Sequence, residues 1–225
     1  MDLYEAIKTR RSIRKFRSEA IPKEKILRIL EAANLAPTAI NRQPWNFLIV
    51  NRSTLGQMSE IMDLSFKERL EEMGRTTMNQ RIKDLPIPVD ESNDKVEGLN
   101  EFYRTLGGAP VAVVVYVDKV SDPWQWKNNI CDASAAIENL ILAAWSEGIG
   151  SCWMTGPLKK KESEIKAFLG ITEDKEIVGI IPIGIAAHTP KSPPKEDVKT
   201  KIRWFGPLSI SISLMIPILV RAFTT

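Results

Sequence analysis

Cys131-Asp132-Ala133-Ser134-Ala135-Ala136-Ile137-Glu138-Asn139-Leu140-Ile141-Leu142-Ala143-Ala144-Trp145-Ser146-Glu147 leads through Gly148-Ile149-Gly150 into Ser151-Cys152-Trp153-Met154. The first part reads as a helix that is apolar nearly all round. Such a helix has to be buried on most sides, in a core or a subunit interface. The glycines end it, and the four residues beyond predict a short central strand. A covered helix running into a strand reads as a mixed helix-and-sheet domain.

Working outward, Val111-Ala112-Val113-Val114-Val115-Tyr116-Val117 is a continuous β-branched run and the clearest strand. Downstream, a small helix is expected around Glu162 to Leu169. Ile177 to Ala187 reads as a further apolar strand, interrupted by Pro182 and Gly184. Upstream, Phe47 to Val50 reads as a buried strand. Pro22 opens a helix whose Ile26, Ile29, Leu30 and Ala33 form one stripe at a period of 3.6, stopping before Pro37. Asp2 to Thr9 reads as a short helix, and Ser53 to Arg75 as an amphipathic one. Asp84 to Gly98, with two prolines and several acids, reads as a surface excursion. No repeat, low-complexity tract or long linker divides the chain.

The bulk numbers exclude several classes. At 225 residues, 44% hydrophobic and 26% charged, the composition is that of an ordinary soluble domain. A net charge of +3 provides no global basic field for nucleic acid. One histidine, His188, argues against a histidine zinc site and a Ser-His-Asp triad, so no metal is expected. Two cysteines, Cys131 and Cys152, lie in apolar surroundings without metal spacing, which favours a reducing, cytoplasmic setting over a disulfide framework. Met1 to Glu5 has neither the basic nor the apolar region of a signal peptide. The tail from Pro207 to Val220 alternates apolar and polar residues, then turns apolar. It is short of the ~20 residues a membrane span requires and reads as a packed arm.

Two polar constellations stand out. Arg10-Arg11-Ser12-Ile13-Arg14 packs three guanidinium groups and a hydroxyl into five residues. Guanidinium never loses its charge and presents paired planar donors, which suits a phosphate monoester. The competing reading is a solvated basic helix end. Ala36-Pro37-Thr38-Ala39-Ile40-Asn41-Arg42-Gln43-Pro44-Trp45-Asn46-Phe47 carries a polar loop into an apolar strand. Its Thr, Asn and Gln supply neutral donors and acceptors of the kind that read a heterocycle's edge.

The motifs RRSIRKF, APTAINRQPWNF, GIGSCWMTG and IPIGIAAHTPKSPPK, in this order over roughly residues 1 to 200, resemble the nitroreductase family of FMN-dependent oxidoreductases. The resemblance implies an α+β fold with a mainly antiparallel central sheet flanked by helices, in an intertwined homodimer. It implies a family domain over 1–204 and a C-terminal arm over 205–225. Arg10, Arg11, Ser12 and Arg14 would hold the FMN phosphate and ribityl chain, and Lys191 would close on the phosphate. Pro37, Thr38, Ala39, Asn41 and Gln43 would reach the flavin ring from the other subunit. Trp153, Met154, Thr155 and Gly156 would back the isoalloxazine. Pro193 stands where the family has a second late basic residue, with Lys195 as a substitute, and Thr155 stands where an acid is common.

The implied activity is reduction of nitroaromatic, quinone or similar small-molecule acceptors by NADH or NADPH. It would run ping-pong at the dimer interface, with flavin N5 rather than a side chain carrying the chemistry. The alternatives are a specialised relative, a reductive dehalogenase or flavin-fragmenting enzyme with a lid in 69–108, or a low-turnover flavin-binding module. The Cys152 thiol reads as buried and inert.

Overall fold

The computed structural model describes residues 1–72, 101–156 and 158–205. Two units are distinguished, Met1–Ser192 and Pro193–Thr225. In the second, the described residues form a short 3-10 turn, Val198–Lys201, capped by Asp197, whose carboxylate accepts the Lys199 N–H at 2.9 Å. Lys201 pairs with Glu196 at 2.7 Å. The expected excursion over Asp84 to Gly98, much of the 69–108 region and the tail from Pro207 lie outside the described residues.

The first unit is built on β2, Val111–Asp118. Ala112, Val113, Val114, Val115 and Val117 are all fully buried. An antiparallel strand is buried on both faces only when both are covered, and alternation sends successive residues to opposite sides. Val113, Val115 and Val117 join one core with α2 (Lys23–Asn34) and α4 (Pro123–Ser146). Ala112 and Val114 join the other core with α3 (Arg52–Glu72) and α5 (Leu158–Leu169). The result is a sheet between two helical layers. α1 (Leu3–Thr9) begins at Asp2, whose carboxylate accepts the Glu5 N–H at 2.9 Å.

β1 (Trp45–Asn51) pairs with β2 from Trp45↔Val117 to Asn51↔Val111. β4 (Lys175–Gly184) pairs on its other side from Val111↔Ile183 to Asp118↔Lys175, with a bulge between Val115 and Tyr116. β3 (Gly150–Ser151) adds to the end of β4. The order is β1-β2-β4-β3, antiparallel throughout, as expected.

Four details differ from the sequence reading. α4 starts at Pro123, ahead of Cys131, because Asp122 caps it by accepting from Trp124 N–H at 2.9 Å and Gln125 N–H at 3.4 Å, with Pro123 in the first turn. Its opening turns carry Gln125, Lys127, Asn128 and Asn129, so an apolar count misses them. Cys131 is exposed, not in the apolar surroundings expected of it. The expected central strand over Ser151 to Met154 is a two-residue edge strand followed by a single bridge from Met154 to Ile180. β4 also runs unbroken through Pro182, which brings no N–H and whose carbonyl accepts the Cys152 N–H at 3.3 Å.

Candidate functional site

Arg10 ends α1, its N–H donating to the Ala6 carbonyl at 2.9 Å. The chain then straightens and runs beside β3. Ser12 bridges Ser151 in parallel, and the Ile13 N–H donates to the Ser151 carbonyl at 2.8 Å. Further on, Phe16 bridges Ala186, and the Phe16 N–H donates to the Gly107 carbonyl at 2.9 Å. The cationic cluster is therefore an edge ribbon from Ser12 onward, and the helix end describes only its first two residues.

That geometry divides the three arginines. The Arg11 guanidinium folds back and donates to the carbonyls of Lys8 at 3.0 Å and Arg10 at 2.6 Å, closing the end of α1. Ile13 is fully buried beneath β3. Ile13 shares a core with Cys152, and the Arg10 and Arg14 charges and a Ser12 hydrogen bond act to lower the pKa of that thiol. Burial is the larger influence there and pushes the Cys152 thiol above its ordinary value, as an inert buried cysteine requires. Among the described residues, neither Arg10 nor Arg14 is in an ion pair.

The second constellation is a strained loop. Ile40, Asn41 and Gln43 have φ of 48°, 57° and 50°. None is glycine and Ile40 is β-branched, so each costs on the order of 1–3 kcal/mol. Thr38 is half-buried, while Pro37, Ala39, Asn41 and Gln43 are exposed. The loop is tied to α4 through Asp132, whose carboxylate accepts from the Thr38 hydroxyl at 2.7 Å. Asp132 was absent from the residues expected at the site. A carboxylate inside the run from Cys131 to Ala144, where apolar residues dominate, was the signal that could have marked it.

The turn after β3 behaves residue by residue. Trp153 lies over Gly179, where an added Cβ would stand 2.5 Å from its Nε1, and Nε1 donates to the Val178 carbonyl at 3.4 Å. The Met154 side chain is buried in the α3–α5 core, and its backbone N–H and carbonyl are both spent on Ile180, at 3.0 and 3.1 Å. Thr155 is exposed and Gly156 half-buried. Lys191 is exposed on the segment beyond β4.

α4 separates the two constellations within one chain. The Trp145 Nε1–H donates to the Thr9 hydroxyl at 2.9 Å, fixing the start of the cationic ribbon at the C-terminal end of α4. Asp132 holds the loop more than three turns earlier, about 20 Å along the helix axis.

The Nitroreductase family model matches residues 7–185. The chain belongs to the nitroreductase family. This nitroreductase-family chain is therefore an oxidoreductase with the α+β core that its motifs led us to expect. It is 31% identical over 194 residues to a Methanothermobacter thermautotrophicus protein whose name, given by inference, is NADH dehydrogenase/NAD(P)H nitroreductase, covering 84% of this chain and 80% of that one. It is 27% identical over 204 residues to iodotyrosine deiodinase from Thermotoga neapolitana, covering 90% and 98%. Among solved structures, oxidised iodotyrosine deiodinase bound to FMN and 3-iodo-L-tyrosine matches with a TM-score of 0.68 at 26% identity, covering 92% of this nitroreductase-family chain and 100% of that one.

A shallow groove of about 610 Å³ lies elsewhere, lined by Arg52, Ser59, Glu60 and Arg104 among others. It includes none of the expected site residues. The Arg52 guanidinium there already donates to the Gly108 carbonyl at 2.7 Å. Among the described residues no helix is long and apolar enough to cross a membrane.

Proposed function

We propose that this chain is an FMN-dependent oxidoreductase that takes reducing equivalents from NADH or NADPH and passes them to small acceptors such as nitroaromatics or quinones. One observation carries the reading: Arg10, Ser12 and Arg14 lie on one short ribbon beside β3, with no carboxylate paired to either arginine among the described residues. Two guanidinium groups and a hydroxyl are the donor set a phosphate monoester accepts. When bound, the flavin ring supplies hydride acceptance and donation, which no side chain of the chain provides.

The residues then have separate tasks. Arg10 and Arg14 neutralise the phosphate, Ser12 donates to it, and Lys191 closes from the segment after β4. Asn41 and Gln43 offer amide groups to the ring edge. Trp153 and Thr155 stand behind the ring. Met154 supports this turn from the core, since its own polar groups are already paired.

The spacing along α4 favours a two-fold dimer. The ribbon and the loop are held about 20 Å apart in one chain, so a loop from a second copy is the natural complement to each ribbon. A two-fold pair makes two equivalent sites. α1 presents Leu3, Tyr4 and Ile7 at 63, 84 and 53% exposure, an apolar face suited to that contact.

Replacing Arg10 and Arg14 together by alanine tests the assignment. Each charge-assisted contact contributes about 1.5–3 kcal/mol, so FMN affinity should fall at least ~100-fold while the protein stays folded and dimeric. Flavin fluorescence quenching measures it, and bound flavin should bleach anaerobically with NADH or NADPH. Flavin retained at wild-type affinity would remove the basis of this reading.

A second reading, reductive dehalogenation, is favoured by the deiodinase matches in sequence and structure. Turnover of an iodinated phenol against a nitroaromatic, under the same reductant, decides between them.

A further inference from the structure

The loop from Pro37 to Gln43 holds three left-handed residues, Ile40, Asn41 and Gln43, none of which is glycine. Such a backbone persists only where its surroundings over-determine it. Beyond the turn bonds from the Asn41 N–H to the Thr38 carbonyl and from the Arg42 N–H to the Ala39 carbonyl, both 3.2 Å, the contacts that tie the loop to the rest of the fold converge on one carboxylate. Asp132 Oδ2 accepts the Thr38 hydroxyl at 2.7 Å and the Ala39 N–H at 3.2 Å. Thr38 Oγ1 in turn accepts the Gln43 N–H at 3.2 Å, closing the loop on itself. The Gln43 amide then donates to the Asn41 side-chain oxygen at 3.0 Å and to the Asn41 carbonyl at 3.3 Å. Remove the carboxylate and Thr38 loses its anchor to α4, so the Gln43 contact is left to the turn's own backbone bonds.

We infer that Asp132 is the positioning residue of this loop. Its oxygen holds the Thr38 hydroxyl and the Ala39 N–H in place so that Asn41 and Gln43 are set in one arrangement before any ligand arrives. A pre-set loop loses less conformational freedom on binding. The inference rests on the reading that this loop faces the flavin, and it assigns no chemical step to Asp132, which touches neither ligand nor reacting atom.

The test compares wild type, Asp132→Ala and Asp132→Asn as full chains. Arg42 is exposed within the loop, so the rate of trypsin cleavage after it, measured without FMN, reports loop order. FMN titration by fluorescence reports the site, and circular dichroism checks the fold. Asp132→Ala should be cut after Arg42 at least ~10-fold faster and bind FMN at least ~10-fold more weakly. Asp132→Asn keeps a carbonyl acceptor in the same place and should stay within about threefold of wild type on both readouts. If Asp132→Ala does not fold, Thr38→Val removes the same link from the loop side and should show the same faster cleavage.

Cleavage of Asp132→Ala at the wild-type rate overturns the inference. So does Asp132→Asn behaving like Asp132→Ala, because the role assigned is that of an acceptor oxygen. Should the wild-type chain bind no FMN, the flavin reading falls, and cleavage after Arg42 still decides the role of Asp132.

Discussion

A single missing side chain places the cationic ribbon. A Cβ added at Gly150 would stand 2.6 Å from Ile13 Cγ1 and 2.9 Å from Ile13 Cβ, and Ile13 is fully buried. Gly150→Ala should therefore push the ribbon off β3, weakening the bond from the Ile13 N–H to the Ser151 carbonyl. Overpacking of this kind costs about 1–3 kcal/mol. Urea unfolding should show that loss, and FMN titration should show weaker binding as Arg10 and Arg14 shift. Wild-type values for both would mean the contact relaxes without moving the ribbon. A second close approach lies at Gly107, with φ at 67°, where a Cβ would collide with the Arg14 carbonyl. In sequence the three arginines were equivalent cations. The structure makes them unequal, because the Arg11 guanidinium is spent on the carbonyls of Lys8 and Arg10 at the end of α1, while Arg10 and Arg14 are in no ion pair among the described residues.

At the scale of elements, α5 is joined to the start of β4 by a buried cation. The Lys166 side chain is 1% exposed, pairs with Glu173 at 2.7 Å and donates to the Lys175 carbonyl at 3.2 Å. Burial alone would lower its pKa, but the Glu173 hydrogen bond and the Glu162 charge outweigh it, and Lys166 is raised. Glu173 is lowered, chiefly by its hydrogen bond from Lys166. A raised lysine adds stability that is present below the unfolded value, about 10.4, and is lost as pH climbs through the folded one. A lowered glutamate adds stability present above about 4.3 and lost as pH falls through the folded value. The excess melting temperature of wild type over Lys166→Met should therefore be greatest between these limits and shrink on both sides. A difference that does not change with pH would show that packing, not charge, is what the lysine contributes. Elements were also where apolar periodicity misjudged ends: α4 begins at a cap and a proline that an apolar count passes over.

For the whole molecule, the proposed dimer makes the sharpest demand. Glutamates at Tyr4 and Ile7, both exposed on α1, would place charges in an apolar contact and should shift the protein to monomer and release FMN. Light scattering with an absorbance trace measures both, and a Tyr4→Glu/Ile7→Glu variant that remains a flavin-loaded dimer would exclude α1 from the interface. Much of the architecture was legible in the chain. The β-branched run at Val111 to Val117 and the stripe through Ile26, Ile29 and Ala33 marked a strand and a helix, because periodicity and hydrophobicity act locally, while the helix-flanked antiparallel sheet was what the family resemblance implied. Other features came from contacts between residues distant in sequence, which no local pattern encodes. The edge position of β3 depends on where β4 ends, and the pairing of Ser12 with Ser151 brings an N-terminal ribbon to it. The Asp132 anchor joins Thr38 to a helix most of a hundred residues away. The sequence alone determined which residue types could meet a phosphate and a ring. Only the tertiary structure decided which arginines are available, which carboxylate holds the loop, and that α4 keeps the cationic ribbon and the loop apart.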